Sequence, residues 1–181
     1  MFAFPSLRIP SPFYPKEDKL SPLTYPFHSA WASTGGIVGR GILPDYASWA
    51  TKHSLPLTPL SSTAIPFFHL RNVITEQGVC VRPGDIVFIR CGFTAAFDAL
   101  SQAEQLALSE RPSADFLGVE PTVEILEWLW ERQIAAVASD SPAFESSPLG
   151  KGVNETEGAL PVVLHQWLLG GWGMPIGEMF D

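Results

Sequence analysis

The chain has 181 residues and a mass of 19.8 kDa, room for one ordinary domain with a short arm. Hydrophobic residues make up 46% and charged ones 17%, with 6 Trp and 12 Phe, so the chain can fill a core and is no disordered polymer. The 11 basic residues against 19 acidic ones give a formal charge of −8, without the basic field that nucleic acid or an anionic membrane surface attracts, and neither is expected as a partner.

Residues 1–34 differ from the rest. They hold Pro5, Pro10, Pro12, Pro15, Pro22 and Pro26 and no glycine. Each proline fixes φ and removes a backbone donor, which excludes both a helix and a central strand. Phe2, Phe4, Phe13, Tyr14, Tyr25, Phe27 and Trp31 would be left in water by a free linker, so the expectation is an extended, proline-rich arm lying on a surface. The N-terminus has no unbroken apolar stretch after a basic start and does not read as a secretory signal. No apolar run approaches the roughly 18–20 residues that cross a bilayer. A soluble, cytoplasmic protein is expected.

From Gly35 onward the pattern alternates in the way of an α/β domain with a mixed sheet. Gly36 to Leu43 reads as a short apolar strand with closely spaced glycines. Residues 66–77 predict a helix with Pro66 in its first turn, Phe67, Leu70 and Ile74 on one face, and Gly78 as its stop. Val79–Val81 and Ile86–Cys91 read as strands either side of the turn Arg82-Pro83-Gly84-Asp85. Ser101 with Glu104 makes a capping box for a helix through Ser109. Glu120-Pro121 opens a helix whose Val123, Leu126, Leu129 and Trp130 recur at helical spacing. Ala135–Ala138 reads as a buried strand, Pro161 starts a last helix that Gly170-Gly171 ends, and Met174–Glu178 is extended.

The two cysteines, Cys80 and Cys91, are too few for a disulfide scaffold or a structural zinc site. They read as two reduced, half-buried thiols, with a bridge across the intervening turn as the alternative. The glycines of Gly36–Gly41 lack the spacing of a dinucleotide loop and open onto no helix. No Gly-x-Ser-x-Gly elbow occurs, and neither thiol has a base beside it in sequence, so acyl chemistry has no support. Asp140 and Glu145 follow the end of the buried strand. That is a place where ligand crevices form in α/β folds, or else a capped turn. His165 in the last helix and Glu178 thirteen residues later are an imidazole and a carboxylate that could converge on a divalent metal. On spacing alone a core histidine and a surface glutamate are the plainer reading.

Four blocks change those odds. GIVGRGILPD (Gly36–Asp45), GVCVRPGDIVFIRCG (Gly78–Gly92), AAVASDSPAFE (Ala135–Glu145) and LHQWLLGGWGMPIGEMFD (Leu164–Asp181) together resemble the putative cyclase family, which includes bacterial kynurenine formamidases, and are most similar to its long fungal members. The resemblance implies a swivelling β/β/α fold over residues 35–181 and the chemistry of a metal-dependent hydrolase or cyclase acting on small molecules. It implies zinc or manganese as cofactor, with His165 and Glu178 matching the two late metal ligands. For a fungal-type member it also implies a place in secondary-metabolite biosynthesis. The family's signature H-x-G-T-H-x-D-x-P-x-H, which supplies the other ligands and the catalytic histidine, does not occur in this chain. His28 is the sole histidine before Gly35. The expectation is therefore the C-terminal part of the family fold, with its catalytic residues unidentified. The rival expectation is a non-catalytic assembly or binding module that forms homo-oligomers or pairs with a full-length relative.

Overall fold

The structure, a computed structural model, describes residues 35–148 and 162–180, and Gly39–Asp181 forms one compact unit. The arm expected over residues 1–34 and the helix start expected at Pro161 lie outside the described residues. Within the unit, β1 (Gly41–Ile42), α1 (Tyr46–Lys52), β2 (Ala64–Ile65), α2 (Phe67–Glu76) and β3 (Ile86–Ile89) come first. Then follow α3 (Phe93–Asp98), α4 (Gln102–Ser109), β4 (Gly118–Val119), α5 (Val123–Glu131), β5 (Ala136–Ser139), a π-helix (Gln166–Trp172) and β6 (Ile176–Gly177).

Four strands form one parallel sheet in the order β1-β3-β5-β6. Parallel neighbours need crossovers, and helices fill each of them here. β3 and β5 are paired residue for residue, from Ile86 with Ala136 to Ile89 with Ser139. Alternation along β3 sends Val87 and Ile89 into the core while Ile86 and Phe88 stay half-buried. Val87, Ile89 and Val137 join Leu70 and Val73 of α2 and Ile125 and Leu129 of α5 in a single apolar cluster. β2 and β4 make a second, two-stranded parallel sheet.

Local chemistry explains several elements. Ser101 and Glu104 form the expected reciprocal capping box at α4. The turn before β3 is stapled by buried Asp85, which accepts from Arg40 Nε and Nη2 at 2.8 and 2.6 Å and from the Arg82 backbone N–H at 2.7 Å. A buried carboxylate with three donors is satisfied rather than stranded. Glu76 fastens α2 to α1, accepting from Trp49 Nε1 at 2.7 Å and pairing with Lys52 and with His53 Nε2. Among the described residues no helix is long and apolar enough to cross a membrane.

The structure corrects some expectations. The first strand is only Gly41–Ile42; its pairing begins with Ile86 N–H donating to Arg40 O at 2.9 Å, and residues 36–39 belong to no strand. Val79–Val81 is not a strand; Val79 and Val81 pack their side chains on the core, Val79 N–H donates to Ile74 O at 3.0 Å, and neither residue pairs with a strand among the described residues. α5 starts at Val123 with Thr122 as N-cap, and it buries Ile125, Leu126 and Leu129 while Val123 and Trp130 face water. Gly170 and Gly171 do not end the last helix. The wider π-turn runs through them and stops at Gly173, whose φ of 66° lies in the left-handed region that glycine adopts without strain. The two cysteines are free and unlike each other, Cys80 exposed and Cys91 buried.

Candidate functional site

The last helix and the end of β5 bring three of the four candidate residues together. Leu164 and His165 open the helical segment, so their backbone N–H groups have no acceptor within it. Glu145 supplies one. Its carboxylate is fully buried, with Oε2 accepting from Leu164 N–H at 2.9 Å and Oε1 accepting from His165 N–H at 2.9 Å. A negative charge here also suits the positive end of a helix. The same Oε1 lies 2.7 Å from His165 Nδ1.

Glu145 is held in turn by its own main chain. Residues 144–147 lie along β4, with Val119 N–H donating to Phe144 O, Ser146 N–H donating to Val119 O, and a bridge between Val119 and Glu145. The approach is so close that a Cβ on Gly118 would stand 2.3 Å from the Glu145 carbonyl carbon. Only glycine fits there.

On the other edge of the imidazole, Nε2 lies 2.9 Å from Glu178 Oε1. Glu178 follows β6, and its carboxylate also accepts from Phe144 N–H at 3.2 Å. The next two backbone N–H groups, of Met179 and Phe180, donate to the carbonyls of Ser141 and Ser139, which pins this segment to the exit of β5. Both ring nitrogens thus face carboxylate oxygens, which only accept. The ring's pKa is raised above its ordinary value, first by the hydrogen bond to Glu145, against the opposing effect of burial, and then by Glu178.

His165 Nε2 and Glu178 Oε1 are the two donor atoms placed to share an ion. Two ligands about 2.1 Å from a tetrahedral ion stand about 3.4 Å apart, so the pair needs to open by roughly half an ångström. Imidazole and carboxylate suit zinc and manganese chemically. Glu145 does not converge on the same point, because it occupies the opposite edge of the ring. Among the described residues no group of three His, Cys, Asp or Glu side chains is placed to hold a metal.

Asp140 has a different task. It is buried at the end of β5, and its Oδ1 accepts from Cys91 N–H while Oδ2 accepts from Gly92 and Phe93 N–H, both at 2.8 Å. It therefore caps the start of α3 across the sheet. Burial, with the Asp140 charge adding to it, pushes the Cys91 thiol well up, so that sulfur stays protonated and unreactive. Asp140 also borders a cavity of about 650 Å³ at the carboxyl ends of β1, β3 and β5, whose wall includes Leu43, Phe88, Arg90, Ser139 and Phe180. Strand ends of parallel sheets are where ligands settle. Neither His165 nor Glu178 lines this cavity. The Ser139 hydroxyl is buried and has no hydrogen-bond partner among the described residues.

Sequence comparison places the chain, though not this pair, in a known family. Residues 30–146 match the putative cyclase family. The chain belongs to that family. The match takes in Asp140 and Glu145, while His165 and Glu178 lie beyond it. A crystal structure described as a novel cyclase is 25% identical and superposes with a TM-score of 0.61, over 81% of this chain and 42% of that one. The mixed α/β architecture with parallel sheets is thus a cyclase-family fold, and the chain spans less than half the length of that relative. Isatin hydrolase A from Ralstonia solanacearum is 15% identical, with a TM-score of 0.48 over 79% of this chain and 47% of that one. Isatin hydrolase A from Labrenzia aggregata, bound to benzyl benzoate, gives 15% and 0.41 over 60% and 37%. No curated protein sequence matches.

The sequence reading missed what Glu145 does. Its sequence signals are its place five residues after Asp140 and at the end of the AAVASDSPAFE block, and the hydrogen bonds that define it come from a helix about twenty residues away.

Proposed function

We propose that this cyclase-family chain contributes His165 Nε2 and Glu178 to a divalent-metal site of a hydrolase or cyclase acting on a small molecule, with zinc or manganese as the ion. The observation that carries the reading is the 2.9 Å approach of Nε2 to Glu178 Oε1, two donor atoms brought together from the residue that caps the π-helix and the loop after β6. When bound, such an ion supplies a Lewis acid and makes a bound water acidic. The chain's own residues hold and orient the two donors. Glu145 fixes one edge of the ring, and the backbone bonds of Met179 and Phe180 fix the approach of Glu178.

A catalytic zinc site usually takes three protein ligands, and a hydrolase also needs a base within hydrogen-bond reach. Among the described residues no third ligand joins the pair, and the signature that supplies the other ligands and the base in the family does not occur in the sequence, so autonomous turnover is not expected. By resemblance to fungal members the setting is secondary-metabolite biosynthesis, and the cytoplasm is the expected compartment. Titrating the purified chain with zinc or manganese tests the reading. One weak site per chain, lost in both His165→Ala and Glu178→Ala, is expected, together with no appreciable hydrolysis of N-formylkynurenine. Metal-dependent turnover abolished by His165→Ala would show that other residues of the chain complete the site. A site indifferent to both substitutions would end the reading.

The second reading, a non-catalytic assembly module, is favoured by exposed aromatic surface. Trp130 is 65% exposed and its ring centroid is 5.2 Å from that of Trp172, with Trp167 and Leu169 also half in water. Apolar clusters of this kind mark association surfaces. Sedimentation at micromolar concentration tests it, with dimers or a complex with a full-length relative expected and a clean monomer in both cases contradicting it.

A further inference from the structure

We infer that Glu145 is the positioning residue of the His165–Glu178 pair: it keeps the proton on Nδ1, so that Nε2 is the nitrogen that turns its lone pair toward Glu178. This rests on the proposed metal reading only for what Nε2 then does, and not for the ring's orientation.

A neutral imidazole has one N–H and one lone pair, and each nitrogen here faces a carboxylate oxygen, Nδ1 at 2.7 Å and Nε2 at 2.9 Å. Which carboxylate keeps the N–H depends on which can least afford to lose it. Glu145 is fully buried, whereas the Glu178 side chain is 34% exposed. If Nδ1 gave up its proton, a buried carboxylate would face a lone pair with no water to replace the lost bond. If Nε2 gives up its proton, Glu178 can turn to solvent or share a cation with the nitrogen. The asymmetry favours Nδ1–H.

The position of Glu145 reinforces this. The same Oε1 that takes Nδ1–H also takes the backbone N–H of His165, and Oε2 takes that of Leu164. Ring and helix start are therefore referenced to one carboxylate, whose own backbone is laddered to β4 and crowded by Gly118. Ligating histidines commonly carry a carboxylate on the second nitrogen, and removing that partner costs about 10–100-fold in metal affinity. Glu145 meets the structural requirements for that role. It does not touch the ion's position itself.

The test separates the two claims. The chain is made with ¹⁵N-labelled histidine, and the His165 signals are assigned by their loss in His165→Gln. At a pH where the ring is neutral, the expected pattern is a protonated Nδ1 and an unprotonated Nε2. In Glu145→Gln the amide can place its NH₂ opposite Nδ1, and the preference should be lost or inverted. Zinc affinity, measured by calorimetry, should fall about 10–100-fold in Glu145→Gln and recover in part in Glu145→Asp. If Glu145→Gln does not fold, the wild-type tautomer and Glu145→Asp carry the test. A wild-type ring protonated on Nε2, or a tautomer unchanged in a folded Glu145→Gln, overturns the inference. A wild-type Nδ1–H tautomer in a chain that binds no zinc supports the positioning role and sinks the metal reading instead.

Discussion

Asp140 and Glu145 stand five residues apart, both buried after the same strand, and both accept backbone N–H groups at the start of a helix. Their consequences differ. Asp140 spends its oxygens on three main-chain donors of residues 91–93 and has become part of the scaffold. Glu145 meets two main-chain donors and a third that belongs to an imidazole, so its charge reaches the candidate site through His165. Burial and a strand-end address do not distinguish an anchor from a working group. The identity of the third donor does.

Removing the anchor should have the largest effect. Asp140→Ala strands the N–H groups of Cys91, Gly92 and Phe93, and about 3–5 kcal/mol of stability should be lost in urea unfolding. Zinc affinity per folded molecule should stay within about twofold of wild type, since no oxygen of Asp140 reaches the ring. A large affinity loss in folded Asp140→Ala would erase the contrast between the two acids. Gly118→Ala comes next. Its new Cβ meets the Glu145 carbonyl at 2.3 Å, so about 1–3 kcal/mol should go and the His165 resonances should shift with it. A shift confined to residues around 118 would show that Glu145 is less tightly braced than its contacts imply.

Glu76 offers an exposed counterpart to the two buried acids. Hydrogen bonds from Lys52, then His53 and Trp49, lower its pKa from 4.5 to about 2. A depressed folded pKa means a contribution that is complete above pH 4.5 and fades as pH falls toward 2. Acid titration should loosen the α1–α2 contact in that window, followed by Trp49 fluorescence, and Glu76→Gln should flatten the response. The smallest effect on stability belongs to Trp130→Thr, on a side chain that is mostly in water. Unfolding should shift by no more than about 0.5 kcal/mol. Sedimentation should move toward monomer if the assembly reading holds, and unchanged association would place the contact elsewhere.

What the sequence showed followed from how local each signal was. The capping box at Ser101 and Glu104 and the helix after Pro66 depend on residues within one turn, and both elements are where the pattern puts them. α1 went unassigned although Asp45 caps it through the Ser48 N–H, because seven residues after a proline show too little periodicity. β2 and β4 have two residues each, too few to alternate. Helical spacing puts Trp130 on the apolar stripe of α5 but does not say where burial along that stripe ends, and Trp130 faces water. His165 and Glu178 came forward by family resemblance, and their separation is a product of the π-helix and of the bonds from Met179 and Phe180 to β5. Asp140 and Glu145 looked alike in sequence because each is defined by donors that the fold delivers from far along the chain.

The most direct measurement is anomalous diffraction from a crystal of the chain grown with zinc or manganese. The expected peak lies about 2.0–2.2 Å from His165 Nε2 and from a Glu178 oxygen, with that pair opened from 2.9 Å to about 3.4 Å and Nδ1 still on Glu145. An ion held through Nδ1, or no ion at this pair while the 2.9 Å contact persists at saturating metal, would contradict it.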